Sequence, residues 1–315
     1  MVQIMPTGSV SSPRVYSILA LATIIWGANF NLVKHVLADM NALTAAAARF
    51  DIAALVMLVI CLVRGERIPF VRHGATYATL GLVGICGFNV LFFFGMRSTS
   101  AVNGALIMAG NPLLTAALAF VMTGVRLNQR QIVALPIACA GVAFVVLGGG
   151  AHLQLERGDL LLMGASLSWA LYNVLVGQRL PREVSSLANT TGVMTAGAVG
   201  LTALALVDSA PVHVPGTDAL VSLLLMSLGG SVLAYLFWNA GIARVGAPRA
   251  ALFINLVPVT SMVIAALEGQ APTWVQQVGG AVVIGAVLLA SWPVRATLAL
   301  PTEPARRAAL GRCDA

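Results

Sequence analysis

Of 315 residues, 59% are hydrophobic and only 9% charged, far below the roughly 25% charged residues of a water-soluble domain, so a lipid-facing protein is expected. The net charge of +7 comes from small groups of arginines dispersed between apolar runs, with no basic face or aromatic-interleaved patch to engage nucleic acid. The cysteines Cys61, Cys86, Cys139 and Cys313 form neither a CxxC pair nor a Cys/His cluster and read as small buried hydrophobes.

The apolar runs predict an all-α integral membrane protein of ten transmembrane helices. The spans fall at 15–35, 41–63, 74–96, 101–123, 130–149, 159–179, 186–207, 218–240, 247–268 and 273–294, each near the roughly 20 residues that cross a hydrocarbon core. The first run offers an Ala20-Leu21-Ala22 site. Only about six apolar residues precede it, fewer than the roughly 7–15 of a cleaved signal, so the segment is expected to remain as span 1. Turn sequences mark the breaks: Arg64-Gly65-Glu66-Arg67, Gly148-Gly149-Gly150, Asp208-Ser209-Ala210-Pro211 and Pro215-Gly216. The 31 glycines suit helices whose backbones approach closely.

Charge asymmetry orients the spans. With the N-terminus in the cytoplasm, fourteen arginines fall on inside segments, and only Lys34, Arg97 and Arg157 fall outside. This positive-inside bias puts both termini, including a tail at 295–315, in the cytoplasm. The halves repeat, the first unit covering 15–149 and the second 159–294. Phe94-Gly95 through Asn111-Pro112-Leu113 aligns with Ala240-Gly241 through Val257-Pro258-Val259 at a spacing of 146, and Trp26 with Trp169 at 143. Five helices per unit is an odd number, so the second copy enters the membrane from the opposite side. Such inverted repeats are the architecture of alternating-access transporters.

An ionisable side chain at mid-bilayer raises the insertion free energy by roughly 2.5–3.5 kcal/mol, so polar groups inside the spans are the first candidates for function. In span 1, Trp26 and Asn29 share a helical face. Span 2 carries Arg49 and Asp51, separated by about 200° around the helix, so they do not face one cavity together. One of them is expected to serve as counter-ion, gate or proton site, unless the two are structural and Arg49 reaches outward. Asn89 in span 3 is a further cavity candidate. Trp169, Tyr172 and Asn173 form a stripe on span 6, as do Ser231, Tyr235 and Trp238 on span 8. Aromatic stripes are more often packing than binding surfaces, but Trp169 and Tyr235 lie well inside their spans.

Asn111-Pro112 in span 4 and Asn255 with Pro258 in span 9 occupy corresponding positions of the two units. Proline lacks an N–H and clashes with the preceding turn, and broken helices at matched positions of two repeats point to a transporter site. The substrate-binding candidates are therefore Trp26, Asn29, Asn89, Asn111, Trp169, Asn173, Tyr235, Trp238 and Asn255. Arg49, Asp51, Pro112 and Pro258 are the gating or coupling candidates. No nucleotide-binding, metal or cofactor motif accompanies them. Lys34, the single lysine, stands between Val33 and His35 rather than in Gly-Lys-Ser/Thr. His35, His73, His152 and His213 sit at span ends or in loops. Asp51 alone is a clearly intramembrane carboxylate, which leaves no two-aspartate dyad.

Several of these residues resemble the EamA family of the drug/metabolite transporter superfamily: Trp26-Gly27-Ala28-Asn29-Phe30, Arg49-Phe50, and Ser100 through Leu106 running on to Asn111-Pro112-Leu113. The most specific stretch is Trp238 through Ala247, continued by Arg249-Ala250-Ala251-Leu252-Phe253 and Val257-Pro258. The resemblance covers about 15 to 294. It implies a ten-helix fold around a central cavity lined by helices 1, 3, 4, 6, 8 and 9, and transport of small metabolites, commonly export of amino acids or related compounds. Gly-Glu pairs that the family carries after helices 4 and 9 are here Gly124-Val125 and Gly269-Gln270, so no role is carried over from those glutamates. The expectation is a secondary transporter of the bacterial inner membrane exporting a small molecule. Two alternatives stay open, an importer of a metabolite or vitamin on the same fold and a non-transporting membrane enzyme or helper subunit.

Overall fold

The computed structural model describes residues 13–124, 129–147, 156–209, 214–245 and 252–291. Its secondary structure is helical throughout, with no strand among the described residues. Helix α1 (Pro13–Asp39) opens on a proline whose missing N–H would have no intrahelical partner in any case. Helix α2 (Ala42–Val63) is capped by Asn41, whose Oδ1 accepts from the Thr44 amide at 2.8 Å; it gives way to Gly65, at φ +66°. Helices α3 (Phe70–Leu80) and α4 (Phe88–Met96) are joined end to end by a π-helical turn, Gly81–Gly87.

Ser100 caps α5 (Ala101–Ala109) by accepting from the Asn103 amide at 3.0 Å. After an interruption at Gly110 the chain restarts as α6 (Asn111–Thr123). Then follow α7 (Gln129–Leu147), with Pro136 in its interior, α8 (Arg157–Arg179) and α9 (Ser186–Val207). Helices α10 (Thr217–Leu224) and α11 (Ala234–Val245) again flank a π-helical turn, Leu225–Leu233, 144 residues beyond the first. A 3-10 turn, Leu252–Asn255, leads into α12 (Leu256–Leu267), and α13 (Trp274–Ser291) completes the described chain.

Seven of these stretches are long and apolar enough to cross a membrane: Arg14–Asp39, Ala42–Val63, Phe70–Met96, Ala101–Thr123, Arg157–Arg179, Ser186–Val207 and Thr217–Gly241. Shorter apolar helices occupy Ile132–Gly141, Phe253–Leu267 and Trp274–Ala286. Large side chains such as Leu55, Leu62, Val199 and Leu206 are exposed on the outer faces, where lipid rather than water would meet them. The first half of span 9 and the tail at 295–315 lie partly or wholly outside the described residues.

Of the broken or kinked helices expected at the prolines, the structure has breaks. Pro112 stands in the first turn of α6 and Pro258 in the first turn of α12, where the amide has no partner in an ordinary helix. The chain breaks ahead of each proline, at Gly110 and in the 3-10 turn, instead of bending at it.

Packing follows a paired pattern. Helix α2 lies along α9, and α7 along α13; α1 packs against the α10–α11 rod and α12, while α8 packs against the α3–α4 rod and the α5–α6 rod. Bare backbone makes the tightest approaches possible. A Cβ on Gly81 would lie 2.6 Å from the Gly197 nitrogen, and one on Gly158 would lie 2.5 Å from the Gly95 carbonyl oxygen. Asn31 donates to the carbonyl and hydroxyl of Ser261, both at 3.3 Å, joining α1 to α12. Between α3 and the α8–α9 connection, Glu183 lies 3.2 Å from His73 and 3.6 Å from Arg72. The hydrogen bond from its own backbone amide, then those two basic neighbours, hold its carboxyl below the usual carboxylate range.

Candidate functional site

Where these rods converge they enclose a cavity of about 640 Å³, counting its open mouth. Helix α1 supplies Trp26, Asn29 and Phe30, and α2 supplies Arg49 and Phe50. Phe88, Asn89 and Phe92 enter from α4, directly after the first π-helical turn, and Tyr235 from α11, directly after the second. Met108 and Asn111 come from either side of the Gly110 break, Trp169 from α8, and Ile254 and Val257 from the 3-10 turn and α12.

One wall is a cluster of rings. Trp26 packs edge-on against Trp169 and Tyr235, with centroids 6.0 and 5.6 Å away, and Trp238 lies 5.2 Å behind it. Trp169 also meets Phe88 at 5.4 Å and Tyr172 at 5.0 Å. Such offset contacts contribute about 0.5–1.5 kcal/mol each beyond area burial, so the rings hold one another in place. The indole N–H of Trp26 donates at 2.9 Å to the carbonyl of Gly230, inside the second π-helical turn. Asn29 packs on the same glycine, where a Cβ would come within 2.3 Å of its Nδ2.

The polar side of the cavity centres on Arg49, 4% exposed. Its Nε donates to Ser231 Oγ at 2.9 Å, and its guanidinium carbon stands 5.0 Å from the Phe50 ring centroid. No carboxylate pairs with it among the described residues. Two amide oxygens nearby, Asn29 Oδ1 and Asn89 Oδ1, are buried with no hydrogen-bond partner among the described residues, although the Asn89 amide donates to Ile85 O at 2.8 Å. Buried acceptors in this state call for a ligand or ordered water.

The structure brings together Trp26, Asn29, Arg49, Asn89, Asn111, Trp169 and Tyr235 from the residues singled out in the sequence. Asn111 is occupied within the protein. It donates to the Ser166 carbonyl and hydroxyl at 2.7 and 3.1 Å and accepts from Thr115 at 3.1 Å, fastening α6 to α8. Trp238 is a backing residue rather than a lining one, and Asn173 is half-buried away from the cavity. Asn255 is buried where the 3-10 turn meets α12, beside the lining residues Ile254 and Val257. Pro112 and Pro258 likewise stand next to lining residues without lining themselves.

Asp51 lies elsewhere. It is exposed on the outer face of α2, where Thr202 of α9 donates to both carboxylate oxygens at 2.8 Å. The lining residues that sequence reasoning missed are apolar: Phe30, Phe50, Phe88, Phe92, Met108, Ile254 and Val257. In a chain this hydrophobic nothing in their type separates a cavity wall from core or lipid contact. The π-helical turns were missed as well, although each holds clustered glycines (Gly81, Gly84 and Gly87; Gly229 and Gly230).

Comparison with known proteins places these features in a wider set. The EamA-like transporter family matches residues 14–147 and again 156–292. An uncharacterized transporter of Bacillus subtilis, YyaM, is 39% identical over 290 residues, covering 90% of this chain and 95% of its own length. A probable terminal-alkyne amino-acid exporter of Streptantibioticus cattleyicolor is 26% identical over 86% of this chain and 91% of itself. An uncharacterized inner membrane transporter of Escherichia coli, YedA, is 23% identical over 84% of this chain and 87% of itself. A crystal structure superposes with a TM-score of 0.67 at 20% identity, covering 89% of this chain and 97% of the other, a likeness of fold. With the seven long apolar helices, these relatives make the chain a multi-pass membrane protein.

Proposed function

The chain belongs to the EamA-like transporter family, and from that membership we propose that it is a secondary transporter of the bacterial inner membrane, exporting an amino acid or a related small compound by alternating access. The observation that carries this reading is the cavity itself: rings, one buried cation and two unpartnered amide oxygens, gathered from helices of both halves.

Ten crossings in two inverted five-helix units are supported by four features that share one offset. Trp26 and Trp169, the two Asn-Pro regions, the two π-helical turns and the two family matches each recur after about the same stretch of chain. The packing is consistent with a pseudo-twofold relation. It pairs α2 with α9 and α7 with α13, and gives α1 and α8 equivalent neighbours. The arginine distribution favours cytoplasmic termini.

In this reading the wall formed by Trp26, Trp169 and Tyr235 packs against the apolar body of the substrate, while Asn29, Asn89 and Arg49 engage its polar end. Trp238 and Asn111 hold the walls. The breaks ahead of Pro112 and Pro258 are the places where the two units flex as the cavity opens to one side and then the other. Asp51, on the outer face, takes no part. Comparing metabolites in the medium of overexpressing and deletion strains tests the reading. A solute that accumulates outside only with the intact protein, and no longer with Arg49→Ala, is the expected result. Identical media from both strains, with the protein present in the membrane, would count against export.

A further inference from the structure

The chain contains eleven acidic residues, and their placement defines the charge of the cavity. Six are engaged away from it: Asp39 with the Gly216 amide, Asp51 with Thr202, Glu66 with Ser185, Asp159 with Thr99, Glu183 with Arg72 and His73, and Glu268 with His35. Glu156, Asp208 and Asp218 stand at helix ends, and Glu303 and Asp314 lie outside the described residues. None of the described ones lines the cavity. Its other titratable lining group is the phenol of Tyr235, a residue type that is ordinarily neutral near pH 7. Among the described residues, Arg49 therefore gives the empty cavity one uncompensated positive charge.

We infer, building on the transport reading above, that the substrate is a singly negative organic acid with a hydrogen-bond donor beside its carboxylate, as in an aromatic or branched 2-hydroxy acid, and that the membrane potential alone drives its export. The planar guanidinium, with Nε fixed on Ser231, keeps its terminal N–H groups for a carboxylate. The donor of the acid satisfies Asn29 Oδ1 or Asn89 Oδ1, the two acceptors that lack one. A lone charge buried in the membrane is costly and a matched, hydrogen-bonded pair much less so, so the anion-loaded form is the one that reorients readily. A zwitterionic amino acid would leave the net charge at +1 and bring an ammonium with no carboxylate to meet.

The charges then balance over a cycle. The loaded carrier crosses outward carrying zero, and the empty carrier returns inward carrying +1. Each turn thus moves one negative charge out, the direction an inside-negative potential favours. At equilibrium roughly 59 mV sustains a tenfold gradient of a singly charged solute, without a coupling proton or sodium ion.

L-phenyllactate, L-phenylalanine and 3-phenylpropionate share one ring and differ only in net charge and donor, so they serve as probes. Quenching of tryptophan fluorescence, with Trp26 and Trp169 in the wall, reports their binding to the purified protein. We expect phenyllactate to bind about tenfold or more tightly than phenylalanine, and 3-phenylpropionate to fall between them. In proteoliposomes at equal pH on both sides, labelled phenyllactate should accumulate in the compartment that valinomycin and a potassium gradient make positive, about tenfold for each 59 mV. Arg49→Lys should retain the dependence on potential with weaker binding, and Arg49→Gln should lose both the preference for phenyllactate and its potential-driven accumulation. Phenylalanine binding as tightly as phenyllactate would overturn the ligand class. Accumulation that follows an imposed pH gradient and ignores the potential would overturn the driving force. Phenyllactate bound with the stated preference but moved under no condition would instead tell against the transport reading and the driving force, leaving the ligand class supported.

Discussion

Arg49 and Gly230 show how much of the site rests on single side chains or their absence. Arg49 is held by one hydrogen bond, to Ser231 Oγ. Ser231→Ala would strip a buried donor of its acceptor, a loss of about 1–3 kcal/mol. Substrate affinity is expected to fall about tenfold or more while expression is retained, measured by binding to the purified protein. Gly230 receives Trp26 on its carbonyl and Asn29 against its bare Cα. A methyl there meets the movable end of the asparagine side chain rather than backbone, so Gly230→Ala should fold but turn Asn29 aside. Transport is expected to drop several-fold with little change in the unfolding temperature. These partners were partly legible in the sequence. Ser231, Tyr235 and Trp238 read as one stripe, and Arg49 stood out as a charge in an apolar run, but nothing along the chain says that a residue of α2 reaches one 182 positions later.

Among the helices, one close contact of bare backbone joins the α3–α4 rod to α9 at Gly81 and Gly197. Here the neighbour is backbone, which cannot yield as a side chain does. Gly81→Ala is therefore expected to destabilise by about 1–3 kcal/mol, the range for overpacking a tight interior, and to show as a lower melting temperature in detergent. Asn111→Ala should likewise loosen α6 from α8 and soften the wall without removing a group that contacts substrate. Helix positions followed from the sequence within a few residues because uninterrupted apolar runs leave few alternatives. The π-helical turns, the break at Gly110 and the 3-10 turn did not, since hydropathy is blind to a local change of hydrogen-bond register. The prolines marked where the helices are interrupted but not whether each would bend its helix or start a new one, because a proline at the start of a helix and one within it read alike.

For the molecule as a whole, the proposed architecture makes a prediction about sidedness. Reporter tags at the two ends are expected on the same, cytoplasmic side, read by protease protection in inverted vesicles. Tags on opposite sides would mean an odd number of crossings and no inverted repeat. Repetition was visible in the sequence from a few matched residues, and so were the polar and tryptophan lining residues, whereas the apolar part of the wall was not, since it comes from segments scattered from Phe30 to Val257. The asymmetry of the site is equally informative. The tryptophans recur in both halves, but Arg49 has Gly192 as its counterpart at the same offset, so the two units share a frame and only one supplies the charge.

The twin wide turns have a consequence for how the molecule tolerates length changes. Each adds to its rod the slack of an extra residue in the helical winding, and Asn89 and Phe92 on one side and Tyr235 on the other lie just past that slack. Excising one residue from Gly81–Gly87 would rewind the stretch as ordinary α-helix and leave Asn89 near its present heading, because the wide turn already holds the extra residue, whereas the same excision in the plain α-helix ahead of it, Phe70–Leu80, would swing everything beyond by about 100°. Single-residue deletion scanning should thus be tolerated within either wide turn and abolish binding when moved into the ordinary helix on either side of it.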